Sequence, residues 1–265
     1  MNPMKRCFLL AVSGLLIALL AGCYTVPETG RQAFNIVPVG EELSLGEQEF
    51  LQIKKQEKVS QDPVCNAQVQ RVGMRIAKAV GSDLPSAKWE FVVFESNDVN
   101  AFALPGGKVG VYTGLLKLAE TDNELATVIG HEIGHVTARH GAERMSQGLV
   151  AGLVGAAVTV GTQDSRNRDL WRVAYGLGAA GVMLKYSRDE ESEADYIGLR
   201  YAARAGYDPN AAVTFWRKMS ASNQKGADVP ILFRTHPSDA QRIANLQRWI
   251  PQVMPLYERA RQEYE

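Results

Sequence analysis

The chain has 265 residues with 29 basic and 29 acidic side chains, a formal net charge of zero. That balance, without any basic stripe or run, excludes nucleic acid as a partner. No tandem repeat is visible, and the length suits one sizeable domain.

Lys5 and Arg6 precede an apolar run over 8–20, followed by Ala21, Gly22 and Cys23. A basic end, a short apolar core and small residues before a cleavage point make residues 1–22 a secretory signal. The run falls short of the roughly twenty residues that a membrane span takes. An uncleaved anchor is the alternative, and it too would place the domain outside the cytoplasm. The ending Leu20-Ala21-Gly22-Cys23 resembles the bacterial lipoprotein box, which implies lipid on Cys23 and membrane attachment through it. Tyr24 stands where that resemblance would put an aspartate for inner-membrane retention. The expected place is therefore the cell envelope, on the outer membrane, with the periplasmic face as default. Cys7 leaves with the signal, so Cys65 remains without an intramolecular partner and is expected to be a buried, inert thiol.

Residues 23–60 read as a tether followed by a first helix. Pro27, Gly30, Pro38 and Gly40 punctuate an extended stretch, and 41–58 looks helical. The main domain is expected over 61–255, opening with a helix at 63–80. Residues 89–94 are β-branched and aromatic and read as a strand. Residues 100–104 read as another, broken by Pro105-Gly106-Gly107 before a third at 108–112. A small sheet beside the next helix would offer an edge strand (Asn100, Ala101, Phe102, Ala103) to an extended peptide. An ordinary hairpin is the plain alternative.

Thr121 and Glu124 carry a capping-box signature, and an apolar stripe (Leu125, Val128, Ile129, Ile133, Val136) continues the helix. That helix carries His131-Glu132-Ile133-Gly134-His135. Residues four apart on a helix differ by about 40° in azimuth, so His131 and His135 share a face and can share a metal. Glu132 sits one step round, suited to hold a water as general base. Catalytic zinc takes three protein ligands and one open position, which calls for a further carboxylate. The segment Glu191-Ser192-Glu193-Ala194-Asp195 offers one, with Glu191 and Asp195 on one face and Glu193 roughly opposite. We assign Glu191 to the metal and Asp195 to the free ring N–H of a ligating histidine. Ala138 and Gly141 occupy the positions where a metzincin needs Gly and His, which leaves His140 as a helix-end residue supporting the site or the fold. Gly130 and Gly134 would admit a close neighbouring segment.

Residues 148–161 and 173–184 are apolar and suggest a helical hairpin, part core and part lid, each arm too short for a span. Asp208-Pro209 caps a helix running to about Met219. Ser238 and Gln241 make a further capping box for a last helix through Ile243, Leu246, Trp249 and Ile250, and 256–265 reads as a tail. His236 lies just before that cap. It is either loop decoration, or an oxyanion-steadying group, or an occupant of the open zinc position in a resting state.

Assembled, these segments resemble the Ste-type zinc metallopeptidases, in their BepA/LoiP and Oma-like branch. The likeness is carried by Asn100 to Gly107, the two histidines with Glu132 and His140, Glu191 to Asp195, and Thr235-His236-Pro237 with Arg242. It implies a gluzincin-type, mainly helical α+β fold with a small β-sheet beside the active-site helix. It implies one zinc ion on His131, His135 and Glu191, with Glu132 catalytic, His236 an active-site or self-inhibitory residue, and the Asn100 segment as the substrate edge. The implied activity is endopeptidase action on misfolded or surplus envelope proteins, with outer-membrane assembly factors as further partners. The alternative is a non-proteolytic or His236-gated chaperone or scaffold in outer-membrane protein quality control.

Overall fold

Thr121 accepts a hydrogen bond from Glu124 N through its hydroxyl (3.2 Å) and starts the helix on which the rest is assembled. In the computed structural model, which describes residues 23–156, 186–223, 231–236 and 240–264, that helix is Asp122–Thr137. The reciprocal half of the expected capping box is absent: Glu124 instead accepts from Glu120 N and from Lys218. Every residue over 124–137 is buried, so the helix has no wet face.

The elements preceding it are strands β1 (Cys23–Thr25) and β2 (Gln32–Phe34), helices α1 (Val39–Gln56) and α2 (Pro63–Val80), and strands β3 (Glu90–Phe94), β4 (Ala101–Leu104) and β5 (Lys108–Tyr112). A short α3 (Thr113–Leu118) leads into the buried helix, α4. After it come α5 (His140–Ala156), α6 (Arg188–Arg204), α7 (Asn210–Asn223), α8 (Ile231–Thr235) and α9 (Ala240–Arg261). The fold is the expected mainly helical α+β arrangement with a small sheet. β5 lies in its centre, parallel to β3 and antiparallel to β4, which leaves β4 on the outside.

Two apolar clusters divide the sheet's faces. The larger joins α2, α4, α6, α7 and α9 with Ala101, Val93 and Val111 from the sheet. The smaller gathers Phe50 from α1, Phe94, Phe102 and Leu104 from the strands, and Met145 from α5. The period-two alternation of a strand thus sends neighbouring β4 side chains to opposite cores.

Three expectations need correction. The stretch after Cys23 is no loose tether: β1 and β2 form an antiparallel hairpin, Val26 and Ala33 enter the main core, and Glu28 pairs with Arg200 and Arg204 of α6. Pro27 and Gly30 (φ +70°) lie in the connection that closes the hairpin, and Pro38 is the N-cap of α1. The supposed tail from 256 is helical to Arg261, because α9 runs through Pro251 and Pro255. Both prolines are exposed, so the carbonyls they leave unbonded can turn to water. Cys65 is half-buried rather than buried, at the start of α2, where its thiol donates to Asp62. Most of the expected apolar hairpin and the Ser238 cap lie outside the described residues. Among those described, no helix is long and apolar enough to cross a membrane.

Helices α4 and α6 approach backbone to backbone. A Cβ on Gly198 would lie 2.6 Å from His131 N and 2.8 Å from Gly130 O, both backbone atoms that cannot swing away. Gly198→Ala is therefore expected to lower the urea midpoint, with an overpacking cost of about 1–3 kcal/mol. An unchanged midpoint would show that α6 is free to stand off.

Candidate metal centre

Ser187 opens α6 with a complete capping box, its hydroxyl accepting from Glu190 N while Glu190 accepts from Ser187 N. This sets the register in which Glu191 and Asp195 both face α4. His131 Nδ1 lies 2.9 Å from Asp195 Oδ1. A carboxylate can only accept, so the proton sits on Nδ1 and Nε2 is left with its lone pair directed inward. His135 Nε2 stands 3.1 Å from His131 Nε2 and 3.4 Å from Glu191 Oε1. His236 joins them, with Nδ1 2.7 Å from Glu191 Oε1 and 3.1 Å from His131 Nε2. One donor atom from each of these four buried residues lies within 4.8 Å of the others.

Burial decides the protonation. Desolvation holds both His131 and His135 well below the usual imidazole value, with Arg242 adding to the effect on His131. Burial alone would raise Glu191, but His236, His135 and His131 around it hold its carboxyl well below the ordinary range. Two neutral imidazoles and an ionised carboxylate converging on one point form a donor set for a borderline dication. Glu191 Oε1 faces His135 and His236, while Oε2 is buried and lies 3.2 Å from Arg242 Nη1. The residues present therefore fit a zinc ion.

Glu132 projects beside this group rather than into it. Its Oε1 is likewise buried without a hydrogen bond, and lies 3.5 Å from His236 Nε2. Burial, reinforced by Glu191 and opposed by His236, pushes its carboxyl up to about 7. Asp195 is raised to about 6 by burial, against the pull of Arg242. Arg242 itself reaches in from α9, donating to Asp195 Oδ1 at 2.5 Å, lying 3.2 Å from Glu191 Oε2 and stacking over Trp216. His236 is raised because Glu191 and Glu132 outweigh the effect of burial.

All the residues singled out on α4 and α6 come together, and His236 joins them rather than decorating a loop. His140 does not. It starts α5, fully buried, with Nδ1 2.9 Å from His135 Nδ1, on the side away from the cluster. The substrate segment is the outer strand beside α4, and Asn100 O accepts from Tyr112 N (3.1 Å). Asn100 and Ala103 are partly exposed; Ala101 and Phe102 are buried, the Phe102 ring committed to the smaller core. Cys23 is exposed at the start of β1.

Sequence reasoning assigned no role to three neighbours. Tyr186 stacks on His135 (3.8 Å between centroids, 26°) and lies 5.3 Å from His236; its place just before the Ser187 cap was a signal that could have been followed. Arg242 drew notice only through resemblance. Glu193, set aside as facing the wrong way, meets His140 Nε2 at 2.9 Å.

The family model described as Peptidase family M48 matches residues 63–250. Mitochondrial metalloendopeptidase OMA1 of Schizosaccharomyces pombe is 33% identical over 236 residues, covering 86% of this chain and 66% of the relative. The Beta-barrel assembly-enhancing protease of Escherichia coli is 27% identical over 245 residues, covering 91% of this chain and 50% of the relative. Arabidopsis thaliana OMA1 is 41% identical over 166 residues, 63% of this chain and 32% of the relative. The chain thus spans between a third and two thirds of these relatives.

A prediction follows from Glu132. Without metal, the folded state keeps its proton to about pH 7, while the unfolded chain releases it near 4.5. Raising the pH across that window favours unfolding. Metal-free Glu132→Gln lacks this linkage, so its stability relative to wild type should climb by on the order of 3 kcal/mol across the window. Urea unfolding at a series of pH values reads the gap, and a flat gap would show Glu132 ionised in the folded protein.

Proposed function

The chain belongs to Peptidase family M48, a metallopeptidase family, and we propose that it is a zinc endopeptidase acting on misfolded or surplus cell-envelope proteins. The observation that carries this reading is a buried four-residue donor cluster, His131, His135, Glu191 and His236, beside a buried carboxyl, Glu132, pushed up to about 7. In this reading His131 and His135, through Nε2, and Glu191 hold one zinc ion per chain. When bound, zinc acidifies water and polarises a peptide carbonyl. Glu132 takes the proton of the attacking water and delivers it to the leaving amide nitrogen. Asp195 keeps His131 in the tautomer whose Nε2 faces the metal. The outer edge of β4, over Asn100, Ala101, Phe102 and Ala103, receives an extended substrate through backbone hydrogen bonds. Phe102 contributes its backbone alone, since its ring is part of the core.

The contacts of His236 with Glu191 (2.7 Å) and Glu132 (3.5 Å) support reading this arrangement as a latent one that opens when the ring leaves. The lipid on Cys23 would hold the enzyme at the outer membrane, facing the periplasm. Since the relative in E. coli is named for β-barrel assembly, outer-membrane assembly factors are the partners proposed with it.

Casein cleavage and zinc content test the reading together. Glu132→Gln is expected to keep its zinc and lose at least about a hundredfold in rate. Equal activity in the two proteins would remove Glu132 from the mechanism. His236→Ala is expected to cleave faster than wild type. Lost cleavage would instead make His236 a catalytic group, and inactivity in every variant would leave the scaffold reading.

A further inference from the structure

The two imidazoles assigned to the metal are held by different means. His131 Nδ1 is held directly by a carboxylate, whereas His135 Nδ1 meets another imidazole, His140. We propose that Glu193, acting through His140, is the positioning carboxylate of His135, and that the N-terminal hairpin sets this carboxylate through Arg31 and Thr29. The proposal rests on His135 being a metal ligand through Nε2.

The hydrogen bonds leave one arrangement. If His135 Nε2 offers its lone pair to the metal, its proton is on Nδ1 and must be donated to His140 Nδ1, 2.9 Å away. His140 must then accept at Nδ1 and carry its own proton on Nε2, which lies 2.9 Å from Glu193 Oε2. Glu193 can only accept, so one carboxylate fixes the tautomers of both rings. Glu193 is itself fastened from outside: Arg31 Nε donates to Oε2 at 2.6 Å and Thr29 Oγ1 to Oε1 at 2.5 Å. The other edge of the Arg31 guanidinium grips Glu143 of α5 at 3.1 and 2.8 Å.

The backbone is bent to make this chain of contacts. Arg139, between α4 and α5, has φ +56°, a left-handed conformation that a non-glycine residue adopts at a cost. The bend folds His140 back beside His135. Arg139 is held there by Glu42 (2.8 Å) and by Val37 O (2.9 Å). Residues 29–42 thus secure both ends of the support, and His140 between them is fully buried.

The test uses the full chain and measures zinc dissociation constants by chelator competition, alongside the melting temperature of the zinc-free protein. Glu193→Ala is expected to bind zinc about ten- to a hundredfold more weakly, the range for lost support of a metal-bound histidine. Glu193→Gln, which keeps an acceptor oxygen for His140, is expected to recover most of that affinity. Arg31→Ala, at a half-exposed site, should weaken zinc by a smaller factor with little change in zinc-free melting. Glu28→Gln weakens one charge pairing of the hairpin with Arg200 and Arg204 but keeps Arg31 and Thr29 on Glu193, and should leave zinc affinity near wild type. Wild-type affinity in Glu193→Ala overturns the proposal, as does an equal loss in Glu28→Gln. Wild-type affinity in His135→Ala would overturn the ligand reading itself, and this proposal with it.

Discussion

Backbone contact between α4 and α6 is the constraint on which the centre depends. Gly130, Gly134 and Gly198 bring two helices together with no side chain between them. At that spacing the faces bearing His131, His135, Glu191 and Asp195 leave no room for bulk water. Desolvation then does most of the electrostatic work. It keeps the imidazoles neutral and would neutralise the carboxylates too, were they not compensated. Compensation comes from Arg242 and His236, and it is unequal.

The inequality separates the roles of four acids. Glu193, gripped by Arg31, Thr29 and His140, is held down to about 2 and stays ionised. Glu191, ringed by three imidazoles, is ionised as well. Asp195 touches Arg242 yet remains near 6, because its burial is complete. Glu132 Oε1 has no hydrogen bond and meets His236 only at 3.5 Å, and it alone among the four reaches neutrality. An anion held fast suits a supporting or ligating role. A carboxyl poised near neutral pH suits proton transfer, and the difference is made by neighbours rather than by residue type.

Helical periodicity made the core of this centre legible beforehand. Four-residue spacing dictates that His131 pairs with His135 and Glu191 with Asp195, whatever the tertiary context. The same periodicity also placed Glu193 on the opposite face, correctly, and still hid its use. What lies across from that face depends on a turn with one left-handed residue and on a hairpin about 160 positions upstream. Neither leaves a periodic trace. The sheet was legible from its β-branched runs, but the order β3-β5-β4 follows from pairing and not from pattern. The continuation of α9 past two prolines was hidden for a related reason. Proline breaks a helix by withholding a hydrogen bond, and the loss matters least where the freed carbonyl faces water.

The position of His236 links the two ends of the proposed reaction. It follows α8, a helix of one turn whose Leu232 N donates to Val99 O, two residues before β4 begins. The edge proposed to take substrate and the ring proposed to block the centre are therefore joined by one backbone hydrogen bond and a few residues. A peptide added to β4 would order the strand to which α8 is tied, while its carbonyl competes for the space His236 occupies. Opening of the proposed latent state would then need no distant signal. It needs only a substrate whose binding along the edge outweighs the ring's contacts with Glu191 and Glu132, both of which raise its affinity for a proton. Folded proteins rarely present such an extended stretch, whereas unfolded ones do, so the same blockage that lowers the rate would also select the substrate.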